Sequence, residues 1–181
     1  MIQTIHIGHL LRETVASPYR NLVTRPTGAA IRNRIQAALA DSDCLTALLD
    51  FSDIELLDFS CADEVVAKLL LDDEERGSRF VVLRGLREDQ HEAIEHVLTH
   101  HRLAVAAVPY GEHPALRLLG WVTADARTAF AYVCERGALL AADLAGGLDW
   151  PTARAHEALQ ALALRRLVLT DGDRYHPLPI G

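Results

Sequence analysis

The sequence predicts an α/β domain over residues 1–120, followed by a smaller domain over residues 123–181 made of three helices and a hairpin. Three observations carry this. Up to about residue 120, apolar runs of strand length alternate with segments of helical periodicity, which is the pattern of parallel βαβ units with right-handed crossovers. Beyond Thr123 helical segments follow one another with no strand between them. The composition, 50% hydrophobic and 24% charged over 181 residues, is that of a globular chain long enough to bury two cores.

The first domain divides as follows. Ile2 to Leu10 alternates apolar and polar residues around Ile5 and Ile7, and Asn21 to Arg25 is a short extended stretch closed by Pro26, so two opening strands are expected. After Thr27 and Gly28, the positions Ala30, Ile31, Arg34, Ile35, Ala38 and Leu39 have the spacing of an amphipathic helix. Leu45 to Phe51 is a continuous apolar run, as in a strand buried on both faces. Ser60 to Leu71 reads as a helix in which Ser60 caps the first turn and Asp63 reaches back to the Ser60 amide, with the acidic run Asp72, Asp73, Glu74 and Glu75 ending it in solvent. Arg79 to Leu83 and Leu103 to Val108 are further buried strands, separated by a helix from Glu88 to His101. Leu116 to Val122 is either a last strand or the connection to the second domain.

In the second domain, Ala124 to Arg136 is a helix ended by Gly137, and Ala138 to Ala145 is a short one ended by Gly146-Gly147. A third starts at Trp150-Pro151, with Pro suited to a first helical turn, and runs through Leu164. Leu167 to Thr170 and Arg174 to Leu178 flank the hairpin signal Asp171-Gly172-Asp173. Three helices and a hairpin, in that order, make a winged helix-turn-helix.

Composition also limits function. No apolar run approaches the roughly 20 residues of a membrane span, and the N-terminus carries neither a basic n-region nor a small-residue cleavage site, so a cytoplasmic protein without membrane contact is expected. Cys44, Cys61 and Cys134 are an odd, widely spaced set and read as reduced core thiols. The net charge of -7 argues against coating nucleic acid by charge alone. The acidity belongs to the first domain, with 12 basic against 18 acidic residues, whereas residues 121–181 hold 6 against 7.

The stretch Asp50-Phe51-Ser52-Asp53-Ile54-Glu55-Leu56-Leu57-Asp58-Phe59-Ser60-Cys61-Ala62-Asp63 resembles the centre of the STAS domain, the fold of bacterial anti-sigma-factor antagonists. There a strand ending in Asp-hydrophobic-Ser leads through a short hydrophobic segment to Asp-Ser-Ser-Gly at the start of a helix. Here Asp58-Phe59-Ser60-Cys61 stands in that place, with Phe59 for a serine and Cys61 for a glycine, and Phe59 to Glu64 is closer to the divergent STAS-like group. The resemblance implies a bacterial regulatory protein in which Asp58, Phe59, Ser60 and Asp63 meet a protein partner, and in which a kinase-like ATPase phosphorylates Ser60. Independently of the family, a phosphate on Ser60 adds roughly -1.5 to -2 charges at a helix N-terminus, which favours anions. The other reading is that Ser60 only caps its helix, worth about 1 kcal/mol.

Other candidates are weighed the same way. Glu92, His96 and His100 are four residues apart and share a helix face, a spacing that suits Zn²⁺, but His91 and His96 lack HExxH spacing and a solvated helix face accounts for all of them, so no metal is expected. Gly77, Gly85 and Gly111 are isolated loop glycines, and Ser17, Ser42, Ser52 and Ser78 lack nucleophile-elbow surroundings, so neither a cofactor nor an enzyme activity is expected. Arg25, Arg32 and Arg34 form either a positive patch or a solvated helix face. On the third helix of the second domain, Thr152, Arg154, His156 and Gln160 suit base edges and phosphates, and Arg174 in the hairpin suits the DNA backbone, while Asp149 and Glu157 oppose phosphate. The expected function is transcriptional regulation, a partner-binding STAS-like domain controlling a DNA-binding winged helix. The alternative is an adaptor that binds no DNA and uses both domains for docking or homodimerisation.

Overall fold

The computed structural model describes residues 1–15, 20–76, 79–109 and 115–180, with backbone alone over 73–76. Ser17, Gly77, Ser78 and Gly111, and the side chains of Asp73, Glu74 and Glu75, lie outside the described residues. A five-stranded sheet forms the centre, with β1 (Ile2–His6), β3 (Thr46–Asp50), β5 (Phe80–Arg84), β6 (Ala104–Val108) and β7 (Arg117–Gly120) side by side in that order. The first four strands are parallel, and β7 runs antiparallel to β6. The chain is therefore mixed α/β on a mostly parallel sheet.

Strand order decides where the helices lie. Parallel strands laid down in one direction with right-handed crossovers put every crossover on the same face. Here the crossovers carry α1 (Ile7–Thr14), α2 (Arg25–Ala40), α3 (Phe59–Ala62) with α4 (Lys68–Arg76), and α5 (Glu88–His100). They cover the face that presents Ala47, Leu49, Val81, Leu83, Val105 and Leu119. The other face presents Leu48, Phe80, Val82, Ala104, Ala106 and Leu118, and would lie in water if the chain stopped at β7. Its cover is the second segment, α6 (Ala124–Arg136), α7 (Ala141–Leu148) and α8 (Thr152–Leu164), with a three-stranded antiparallel sheet of β8 (Leu139–Leu140), β10 (Arg174–His176) and β9 (Leu169–Asp171). One apolar cluster thus runs from the sheet through Ala126, Phe130, Leu159 and Leu162 into these helices. Burial on both faces is why the strands read as continuous apolar runs rather than alternating ones.

Several local expectations are corrected. The segment expected as one strand from Ile2 to Leu10 turns helical at Ile7, because Ile7 and Leu11, four apart, are both fully buried on one side of α1. The extended stretch at Asn21 is only β2 (Asn21–Leu22), and Arg25-Pro26 already belongs to α2, with Pro in the first turn. Gly146 and Gly147 do not end their helix, since α7 runs to Leu148 and ends where Asp149 adopts φ +54°. Gly147 is instead a close approach to α6, where a Cβ would lie 1.9 Å from the Tyr132 hydroxyl. Leu139–Leu140, expected as helix, pairs with β10 as a strand.

Candidate functional site

The turn that carries Asp58-Phe59-Ser60-Cys61 is placed by a second, two-stranded parallel ladder between β2 and β4 (Leu56–Leu57). The Asp58 amide donates to the Leu22 carbonyl at 3.2 Å, which brings Asp58 beside Thr24 at the start of α2. Asp58 is extended (φ -82°, ψ 167°), and its side chain caps α3. One carboxylate oxygen accepts from the Cys61 amide at 2.8 Å and from the Ser60 hydroxyl at 2.9 Å, while the other accepts from the Thr24 amide at 3.0 Å. Ser60 is thus not the cap expected of it, because Asp58, three residues before the Cys61 amide, occupies the capping geometry and Ser60 is the second residue inside the helix.

Asp58 holds two elements at once. Thr24 has φ +70°, a left-handed backbone that a β-branched residue adopts only under constraint, and its amide is the one Asp58 binds. Burial pushes the Asp58 carboxyl up, but the amides of Cys61 and Thr24 and the Ser60 hydroxyl outweigh it, and the net direction is down. Asp58 is therefore a charged acceptor at neutral pH, and charge strengthens each of these bonds.

Asp63, expected to reach back to the Ser60 amide, instead accepts from Arg25 at 2.8 Å and from the ring of His101 at 2.8 Å. The helix widens into a π turn over Asp63–Ala67, a feature often found at functional sites. Glu64 in that turn is buried and accepts from Arg25 at 2.8 Å, from Lys68 at 2.6 Å and from Arg32. For both carboxyls burial acts upward, and the basic partners hold the net shift downward. Arg25 and Arg32 are therefore committed to Asp63 and Glu64, and Arg34 to Glu13 at 2.9 Å, so these three make neither a positive patch nor a merely solvated face.

The outer surface of the turn is apolar. Phe59 is 57% exposed and Leu56 49% exposed, while the Phe59 ring rests on His96 at a centroid separation of 4.9 Å. Asp58, Phe59, Ser60 and Asp63, the expected partner-binding set, therefore lie together on one turn. Thr24, Arg25, Glu64, His96 and His101 complete it, and no local motif joins them to this site. The spacing of Arg25 and Arg32, seven apart and so on one face of α2, is the signal that the sequence offers for the arginines. Burial and then the Asp58 carboxylate push the Cys61 thiol up to about 12, which disfavours its thiolate. The Ser60 hydroxyl is half-buried and donates to Asp58, so any group added to it would lie against the carboxylate that holds both helices.

On α5, Glu92, His96 and His100 are exposed, whereas His91, expected in solvent with them, is buried, and burial lowers its basicity. Among the described residues no group of three or more His, Cys, Asp or Glu is placed to hold a metal ion. At the carboxyl ends of the strands, the buried Asp50 accepts from the Ser52 amide and hydroxyl and from Arg84 at 2.7 Å, which joins two residues of the Asp-hydrophobic-Ser stretch to an arginine that the sequence does not announce. Among the described residues no helix is long and apolar enough to cross a membrane.

In the second segment Thr152, Arg154, His156 and Gln160 are exposed on α8, as is Arg174 on β10. Thr152, His156 and Gln160, four apart, form one stripe. Arg154 lies off it, bound through two nitrogens to the Asp125 carboxylate at 2.8 and 2.9 Å with its guanidinium 4.2 Å above the Trp150 ring. No family model, no curated protein and no solved structure matches this chain.

Proposed function

We propose that this chain is a bacterial, cytoplasmic regulator of transcription in which a STAS-like part binds a protein partner through the turn at Asp58 to Asp63, under the control of phosphorylation at Ser60, and a C-terminal winged helix binds DNA. The observation that carries this reading is the double hold of Asp58. A phosphate on Ser60, bearing close to two negative charges, cannot share that space with the Asp58 carboxylate. Its arrival breaks the cap of α3 and the bond to the strained Thr24 together, and alters the surface around the exposed Phe59. The apolar layer common to the sheet and α6 to α8 supports transmission between the two parts. In this reading the modifying partner is a kinase-like ATPase, Thr152, His156 and Gln160 meet base edges and phosphates, and Arg174 meets the backbone.

A second reading is an adaptor that binds no DNA and uses both parts for docking or homodimerisation. The ion pair between Arg154 and Asp125 favours it, because the one arginine on the outer surface of α8 already has a carboxylate in its fork. Fluorescence anisotropy with mixed-sequence duplex DNA separates the two. Binding that weakens steeply with salt and is lost in Arg174→Ala supports the regulator, and no binding at low salt leaves the adaptor. Mass spectrometry of the Ser60 peptide, with the proteins co-purified from the native host, tests the switch. Phosphate on Ser60 together with a recovered ATPase supports it, and an unmodified Ser60 with no such partner opposes it.

A further inference from the structure

We propose that helix α5 carries the state of the Ser60 turn to the C-terminal segment, with Glu95 as its grip on the end of β7 that α6 in turn holds; this rests on the regulatory reading above. One side of α5 is tied to the turn, since His96 supports the Phe59 ring at 4.9 Å and His101, just past the helix, binds Asp63 at 2.8 Å. Another side is tied to the end of β7, where the Glu95 carboxylate accepts from the Gly120 amide at 2.7 Å. Gly120 is a close approach, with φ +101° and room so limited that a Cβ there would lie only 2.2 Å from the Leu103 carbonyl. The Gly120 carbonyl in turn accepts from Arg127 of α6 at 2.9 Å, and Arg127 also holds the Leu118 carbonyl at 3.2 Å.

A chain of contacts, hydrogen bonds except for the packing of Phe59 on His96 and the steps along the backbone, therefore leads from Ser60 through Asp58 and Phe59, across α5, through Glu95 and Gly120, and into α6. Glu95 and His96 are neighbours about 100° apart around the helix axis, so a rotation or tilt of α5 as a unit moves the Phe59 contact and the Gly120 contact together. The structure shows the Asp58 hold made, with Thr24 at φ +70°, and the relay takes the broken hold, with Thr24 relaxed, as its second arrangement. Packed helices respond to such a change by shifting as units rather than deforming.

Hydrogen exchange on the full chain tests this in four forms: wild type, Ser60→Asp, Glu95→Ala and the double variant. Ser60→Asp is expected to alter exchange both locally, in peptides covering 24–28 and 56–63, and distally, over 124–164, by about fivefold or more. In the Glu95→Ala background the local change persists and the distal change falls to less than about a third of that. Glu95→Gln, which keeps an acceptor oxygen for Gly120, is expected to transmit as wild type does. A distal change of equal size with and without Glu95, or a Gln variant as uncoupled as the Ala variant, overturns the role of α5 while leaving the regulatory reading intact. A distal change absent from Ser60→Asp itself overturns that reading and the relay with it.

Discussion

Replacing Asp58 by alanine removes three hydrogen bonds with one side chain, and the cost can be worked from their geometry. Loss of an N-cap costs about 1 kcal/mol, and the charge-assisted bond to the Thr24 amide is worth roughly 1 to 1.5 kcal/mol at a partly exposed site. The Ser60 hydroxyl adds about 0.5 kcal/mol. Relaxation of Thr24 from its left-handed backbone returns on the order of 1 kcal/mol, so Asp58→Ala is expected to destabilise the fold by about 2 kcal/mol. For a chain of this size, that is a fall in Tm of about 4 to 8 °C. The pH dependence is fixed in sign. Because the carboxyl is held below its ordinary value in the folded chain, its contribution is present above the unfolded value near 3.8 and is lost as the pH falls through the folded value. Thermal and urea unfolding of wild type and Asp58→Ala, at neutral pH and in acid where the carboxyl is protonated, are expected to show a gap that narrows on acidification. A variant within about 1 °C of wild type at neutral pH, or a gap that persists unchanged in acid, refutes the reasoning.

Three further outcomes follow from the same geometry. Gly120→Ala combines a left-handed φ with a contact of 2.2 Å to a carbonyl, and is expected to cost about 3 kcal/mol or more, read as a large fall in the urea midpoint. The Cys61 thiol, pushed up to about 12 by burial and by Asp58, and the Cys134 thiol, pushed up to about 11 by burial, are expected to resist a thiol reagent at pH 8 in the folded chain and to react once it is unfolded, so rapid native labelling would contradict their placement. Truncation after residue 122 uncovers the sheet face bearing Leu48, Phe80, Val82 and Leu118, and the shortened chain is expected to bind a hydrophobic dye and to aggregate; a monomeric, cooperatively unfolding fragment would show that this face needs no cover.

The strands β3, β5 and β6 were legible in the sequence because burial on both faces removes the polar alternation, leaving runs such as Ala47 to Leu49 and Val81 to Leu83. What those runs could not convey is that the second cover is the C-terminal segment, since an apolar strand records that both faces are dry and not which element dries them. The helix at Ile7 was hidden because Ile5 and Ile7 satisfy the period of a strand, while the pair Ile7 and Leu11, spaced for a helix, is what the core selects. At the candidate site, Asp58-Phe59-Ser60 offers two capping side chains within three residues, and local pattern cannot choose between them. The ladder of β2 with β4 makes the choice by bringing the Thr24 amide within reach of Asp58. Glu64 was silent for the opposite reason. Nothing local marks it for burial, and its partners Arg25 and Arg32 lie more than thirty residues away.

The stripe of Thr152, His156 and Gln160 was readable from helical spacing, but the partner of Arg154 was not, because Asp125 comes from a different helix. The most direct measurement is the affinity of wild type and Ser60→Asp for the same mixed-sequence duplex by fluorescence anisotropy, at about 50 and 200 mM salt. Salt-dependent binding by wild type, changed about fivefold or more by Ser60→Asp with the fold intact, is the expected result. Equal affinity of the two proteins, or no binding by either at low salt, would contradict the claim that the Ser60 turn governs DNA binding.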